Sequence, residues 1–171
     1  MEQAAGRAFE VRPAAEADLA GVLAIYNHAV EHTTAIWNDV LVDLDNRRAW
    51  WRGRAEAGFP VLVATAGRDV LGYGSYGPFR PFDGYRKTVE HSVYVAEAAR
   101  RRGVAGALMQ ALEAEARQAG MHVMVGAIAA DNAPSLGLHE RLGFAETGRM
   151  PEVGRKFGRW LDLVLVQKVL R

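Results

Sequence analysis

The sequence predicts one mixed α/β domain, a sheet covered by helices, and three observations predict it. The chain has 171 residues, 50% apolar and 24% charged, enough to bury a core without covalent staples. Its apolar spacing changes along the chain between a helical rhythm and short strand-like runs. A three-strand meander in the first half is followed by a strand, helix, strand crossover in the second, and that combination belongs to mixed sheets with helices on their faces.

Each element has a local reason. Phe9 to Arg12 reads as a short strand. Leu19, Val22, Leu23, Tyr26 and Val30 recur on one face of the helix that follows. Asp43 can cap a second helix, with Leu44, Trp50, Trp51 and Ala55 on its apolar side and its end near Gly58. Val61 to Ala66 and Val70 to Tyr76 flank Gly67-Arg68-Asp69, a three-residue connection suited to an antiparallel hairpin. Pro78 and Pro81 break the second run into a loop, and Thr88 to Val95 resumes as a strand. Val104, Leu108, Ala111 and Leu112 form a helical stripe, Val123 to Ala129 a buried strand, and Ala133 to Leu142 another helix. Phe144 to Met150 and Trp160 to Val169 close the chain as strands. No linker, repeat or low-complexity block divides it, so residues 1–8 are expected to be a flexible N-terminal segment and 9–171 one domain.

Composition removes several classes of function. Lys and Arg total 21 against 20 for Asp and Glu, a net charge of +1, which argues against a wholly basic nucleic-acid binder. The absence of cysteine excludes disulfides, thiolate metal sites and any thioester carried on the protein. Met1 to Ala8 lacks the apolar core of a signal peptide, and no stretch approaches the roughly 18 apolar residues of a membrane span. A cytoplasmic location with no membrane or nucleic-acid partner is the expectation.

Among the motifs, Gly72-Tyr-Gly74-Ser-Tyr-Gly77 has dinucleotide-fingerprint spacing, but Pro78 and Pro81 follow where a helix would have to open, so it reads as a glycine-rich strand and turn. His28-Ala-Val-Glu31-His32 has the inverted zinc-hydrolase pattern with two imidazoles on one helical face; it lacks an evident third ligand and reads as an ordinary helix end, with the zinc hydrolase kept as a distant alternative. Arg100-Arg101-Arg102-Gly103-Val104-Ala105-Gly106 lies between a strand and the start of a helix. Small residues there let a ligand approach the backbone, and unpaired N–H groups with the helix dipole favour a phosphate. Arginines add forked donors. Asn132, Ser135 and His139 share one face of the next helix, with Pro134 in its first turn. Glu90 stands in an apolar strand, where partial burial raises a carboxylate toward base chemistry. Arg80, beside Phe82 and Tyr85, can clamp a carboxylate in an aromatic-walled pocket.

Arg100-x-x-Gly103-x-Ala105 after a strand, followed by Asn132-x-x-Ser135-x-x-x-His139-x-x-Leu142-Gly143-Phe144, resembles the acetyl-CoA site of the GNAT N-acetyltransferase superfamily. Ile25 to Val30, Val89 to Val95 and Lys156 to Asp162 resemble its phosphinothricin and methionine sulfoximine acetyltransferase branch, and the likeness runs from about Val11 to Val169. The resemblance implies a mostly antiparallel central sheet flanked by helices. It also implies direct acetyl transfer from acetyl-CoA to the amino group of a small amino acid, or of another small amine or a protein N-terminus, with no metal and in a homodimer. By it, the backbone of Arg101, Arg102, Gly103, Val104, Ala105 and Gly106 holds the CoA pyrophosphate. Val93, Tyr94 and Val95 meet the pantetheine arm, and Asn132 and Ser135 touch the cofactor from the helix. Glu90 and His139 are the implied catalytic pair, His139 standing where many members carry tyrosine. Arg80, Pro81, Phe82, Glu90, His91 and Ser92 form the implied substrate set.

Overall fold

The computed structural model describes residues 8–171; the expected flexible segment falls almost wholly on 1–7, outside the described residues. Seven strands form one sheet: β1 (Glu10–Pro13), β2 (Val61–Ala66), β3 (Asp69–Pro78), β4 (Thr88–Val95), β5 (Val123–Ala129), β6 (Ala145–Lys156) and β7 (Arg159–Val169). Their spatial order is β1-β2-β3-β4-β5-β7-β6. Only β4 and β5 run parallel; every other neighbouring pair is antiparallel. The helices are α1 (Leu19–His32), α2 (Leu44–Glu56), α3 (Val104–Gln118) and α4 (Ala133–Arg141). No helix among the described residues is long and apolar enough to cross a membrane.

The single parallel pair follows from connectivity. A parallel neighbour needs a long crossover, and α3 supplies it between β4 and β5. The hairpins need only short turns, and β2 meets β3 with Ala66 opposite Asp69, so the turn has two residues, Gly67 and Arg68, where three were expected.

The two faces of the sheet have separate cores. Leu108, Met109, Leu112 and Ala116 of α3 pack against Met124, Ile128, Val164 and Val166. On the other face, Val22 and Ile25 of α1 pack against Val63 and Tyr73. The glycines of the rejected fingerprint have a packing role here: a Cβ on Gly74 would lie 2.9 Å from Leu112 Cδ1, so α3 approaches the bare backbone of β3.

Other expectations change in detail, and β3 runs on through Pro78, opposite Val89, where the proline was expected to end it. Ile25 and Ala29 join the buried face of α1, while Leu23 is only half-buried. In α2 Asp43 does cap the helix by accepting from the Asn46 N–H, but Ala55 is exposed and the one buried residue is Arg47. β6 continues six residues beyond Met150, past Pro151, because as an edge strand it can absorb a proline and the pairing irregularity between Met150 and Gly154.

Candidate active site

β4 and β5 part company in mid-sheet. They pair at Thr88–Val123, Val89–Met124 and Glu90–Val125, and no further. Beyond Glu90, β4 is paired on its β3 side alone, through Val95, while β5 runs on with β7 through Ala129. The result is a V-shaped opening at the heart of a cleft of about 1440 Å³, lined by His91 to Val95 on one strand and Gly126 to Ala129 on the other. Backbone groups on these facing edges are free to bond an extended ligand as a further strand would.

The cleft continues to the start of α3. Gly103, its N-cap, has φ +78° and offers no side-chain cap, and Arg101 also lies at positive φ, 61°. The first backbone N–H of this segment to find a protein acceptor is that of Ala107, on the Gly103 carbonyl; those of residues 101–106 have none among the described residues. Consecutive unpaired N–H groups at a helix N-terminus, in a left-handed turn, form a cradle for an anion. Arg100, Arg101, Arg68 and Arg141 stand around the same cleft. Its length and its unpaired donors suit a long ligand that carries phosphates at one end.

Alternation along β4 divides the predicted residues between two faces. Val93 and Val95 pack on the α3 side, and His91 shares that side. Tyr94 packs against Val22, Ile25 and Tyr73 on the α1 side, so Glu90 and Ser92 face that way too. The cleft touches both sets, since His91, Ser92, Val93, Tyr94 and Val95 all line it. Burial raises the Glu90 carboxyl above its ordinary range, and the charge of Arg80 opposes the rise. Burial holds the Tyr94 phenol up to about 12.

On the α3 side two histidines meet. His91 and His139 approach Nε2 to Nε2 at 2.8 Å, both rings buried. His139 Nδ1 lies 2.7 Å from the Ser135 carbonyl, which only accepts, so Nδ1 carries the hydrogen and Nε2 is the bare nitrogen. It follows that His91 Nε2–H donates to His139, leaving His91 Nδ1 without a hydrogen, buried and with no hydrogen-bond partner among the described residues. Burial, then repulsion from His139, pushes His91 down to about 3, and burial lowers His139 as well, so both are neutral near pH 7. Phe144 packs against both rings. Gly126 makes room for the pair, because a Cβ there would lie 2.8 Å from His91 Cε1.

The remaining predicted residues fall as follows. Gly103, Val104, Ala105, Gly106, Arg101, Asn132 and Ser135 line the cleft, whereas Arg102 does not. Asn132 also caps α4, accepting from the Ser135 N–H at 3.2 Å. Glu90, Arg80, Pro81 and Phe82 lie outside the cleft walls; Arg80, Pro81 and Phe82 are exposed. Of the zinc-hydrolase pattern, His28 lies 3.6 Å from Glu97 and His32 lies 3.3 Å from Glu31. No group of three or more candidate metal ligands gathers among the described residues.

Sequence reasoning missed the loop after α1. Lys156 of β6, 2% exposed, donates to the carbonyls of Thr33 at 2.7 Å, Ile36, and Ala29 at 3.5 Å. Thr34 donates to Asp131, which Arg159 also binds at 2.6 Å. These contacts hold Thr33, Thr34 and Ala35 against the cleft. A lysine in an exposed edge strand gives no sequence sign of this.

Comparison with known proteins agrees with this geometry. The family described as Acetyltransferase (GNAT) family matches residues 22–144. An L-methionine sulfoximine/L-methionine sulfone acetyltransferase of Pseudomonas paraeruginosa is 59% identical over 158 residues, 92% of each chain. A phosphinothricin N-acetyltransferase of Alcaligenes faecalis is 38% identical over 161 residues, 94% of this chain and 82% of that one. Among solved structures, an acetyltransferase from Salmonella typhimurium with its cofactor acetyl-CoA superposes with a TM-score of 0.93 at 52% identity, covering 96% of this chain and 95% of that one. A ribosomal-protein-alanine N-acetyltransferase from Brucella melitensis gives 0.93 at 54% identity, covering 94% and 99%.

Proposed function

Because the chain belongs to the acetyltransferase (GNAT) family, we propose that it transfers an acetyl group directly from acetyl-CoA to the α-amino group of a small amino acid with an oxygen-bearing tail, of the methionine sulfone, methionine sulfoximine or phosphinothricin type. The observation that carries the reading is the opening between β4 and β5, which joins an anion cradle at α3 to the neighbourhood of a carboxylate with a raised pKa. The names of the similar enzymes supply the substrate class.

The residues present fit acetyl-CoA: the unpaired N–H groups of 101–106 would hold its pyrophosphate, and Val93, Tyr94 and Val95 would meet its pantetheine arm. When bound, it supplies an acyl thioester open to attack by an amine. An ammonium is no nucleophile, so the protein must first remove a proton. Glu90 is the assigned base, directly or through one water, and its raised pKa brings it closer to the substrate ammonium. Backbone N–H groups on the free edge of β4 are available to a developing oxyanion. Arg80, near enough for its charge to act on Glu90, is assigned the substrate carboxylate. Pro81, Phe82 and Ser92 complete the substrate set.

His139 has both ring nitrogens engaged and is assigned, with His91, the role of a fixed wall of the cleft. A cytoplasmic homodimer completes the proposal, and the exposed apolar side chains Met150, Val153, Phe157 and Trp160 of the β6–β7 hairpin support the dimer.

The test is CoA release from acetyl-CoA with a panel of free amino acids, including the sulfone, sulfoximine and phosphinothricin, beside peptides with N-terminal alanine. Turnover of the oxygen-bearing amino acids supports the reading. Turnover of the peptides alone transfers it to a protein N-terminus, the reading that the ribosomal-protein-alanine enzyme's name favours.

A further inference from the structure

We propose that Arg47 is a specificity-determining residue of the acceptor pocket, its guanidinium binding the tail oxygens of the substrate. The inference rests on the substrate class proposed above.

Arg47 is the one buried residue of α2, 9% exposed. Its guanidinium lies 4.1 Å from the centre of the Tyr26 ring and 5.1 Å from that of Trp50. Its two side-chain hydrogen bonds, from Nε at 3.1 Å and Nη2 at 2.6 Å, go to one acceptor, Asn46 Oδ1. No carboxylate among the described residues forms an ion pair with it, although α2 and its flanks carry Asp39, Asp43 and Asp45. A guanidinium has five N–H donors, so most of this fork is unused. A buried charge without a counter-charge is costly to the free protein, and a ligand that supplies the missing acceptors gains from it.

Its position fits such a ligand. The rings connect Arg47 to β4: Trp50, under the guanidinium, meets Tyr73 at 6.0 Å between ring centres and Tyr73 meets Tyr94 at 5.4 Å, with Tyr26 packed in the same cluster, and the charges of Arg47 and Glu90 both act on the Tyr94 phenol. Tyr94 lines the cleft, and Arg47 lies outside the cleft walls, as Glu90 and Arg80 do. Glu90 and Arg47 therefore stand near the same phenol on the α1 side of β4, with Arg80 near Glu90. An amino acid with its amine at Glu90 and its carboxylate at Arg80 has its tail left for the Tyr94 and Arg47 end. A sulfone presents two oxygens there, which suits a planar fork better than a point charge.

The experiment compares kcat/KM for L-methionine sulfone and for L-methionine, which differ only in the two tail oxygens. In R47M the preference for the sulfone falls at least tenfold, through KM, while kcat/KM for methionine changes less than threefold and the pH profile keeps its shape. R47K, which keeps the charge and loses the fork, falls between. Equal losses on both substrates, an unchanged preference, or a wild type that does not prefer the sulfone each overturn the inference. If R47M does not fold, as judged by circular dichroism and acetyl-CoA binding, R47K and R47Q give the same comparison. A wild type that acetylates no free amino acid overturns the proposed function itself, a result distinct from a sulfone preference that survives R47M.

Discussion

His91 and His139 meet Nε2 to Nε2 at 2.8 Å inside the protein, and one proton serves both nitrogens. Ser135 fixes which one holds it, because its carbonyl takes the Nδ1–H of His139 and leaves His139 Nε2 to accept from His91. With both His139 nitrogens engaged, the proposed reaction gives the proton acceptor's role to Glu90.

Glu90→Gln should therefore lower kcat by about 100-fold or more, within the usual range for a lost general base, with acetyl-CoA binding unchanged by calorimetry. His139→Ala should lower kcat by about 10-fold or less on the same scale. Measured side by side, a larger loss in the histidine variant would reverse the two roles.

Because Glu90 must be ionised to accept a proton and burial raises its pKa, activity should fall as pH drops through a value above the ordinary carboxylate range. The acid limb of kcat/KM against pH reports it. Removing the opposing charge with Arg80→Met should move that limb to still higher pH.

The histidine pair also makes stability depend on pH. His91 is held down to about 3 and His139 is lowered too, while the unfolded chain takes up protons near pH 6.5. The unfolded state thus binds more protons below that pH, and stability should fall as pH drops from roughly 6.5 toward 3 through His91, by up to about 1.4 kcal/mol per pH unit, with His139 adding to the slope below 6.5. Urea denaturation between pH 7.5 and 5 measures the slope, which should flatten in the double variant His91→Gln, His139→Gln.

Gly103→Val meets no steric obstacle, since a Cβ there has nothing within 4 Å, but it strains the left-handed turn by about 1 kcal/mol or more. The N–H cradle should lose its alignment, raising KM for acetyl-CoA roughly 10-fold, about 1.4 kcal/mol, with the amino-acid KM little changed. Initial-rate kinetics with each substrate varied separate the two constants.

Lys156→Met removes a buried ammonium from three carbonyls at the end of α1. Ala29 keeps the Thr33 N–H and hydroxyl as donors, but the stranded carbonyls of Thr33 and Ile36 should destabilise the fold by about 2–4 kcal/mol, visible as a lower Tm. The loop at Thr33 to Ala35 should exchange its amide hydrogens faster than in the wild type.

The sequence made β4 and β5 legible to the residue, Thr88–Val95 and Val123–Ala129, because each is an unbroken run bounded by turn or helix signals. The exposed start of α3 was legible for the same reason: Gly103 and its small neighbours stand at a strand-to-helix junction, where the N–H groups of 101–106 find no acceptor among the described residues. What stayed hidden depended on tertiary packing. Nothing local says that His91 and His139, 48 residues apart, share a hydrogen bond, or that they lie across the sheet from Glu90. Arg47 is a charged residue in a helix whose apolar side reads as Leu44, Trp50, Trp51 and Ala55, and Lys156 stands in an edge strand; Tyr26 covers the one and the loop after α1 the other, both distant in the chain.

The parting of β4 and β5 beyond Glu90 has a consequence for inhibition. Because the opening reaches both faces of the sheet, the two co-substrates of the proposed reaction would arrive from opposite sides and need not obstruct each other. A conjugate joining an amino acid to CoA through a short linker would have to thread the gap, lying partly on each side. Such a molecule could not leave by simple lateral diffusion from a surface groove. It would be held as a bolt is held through a plate, and its dissociation would wait on separation of one end from its own face.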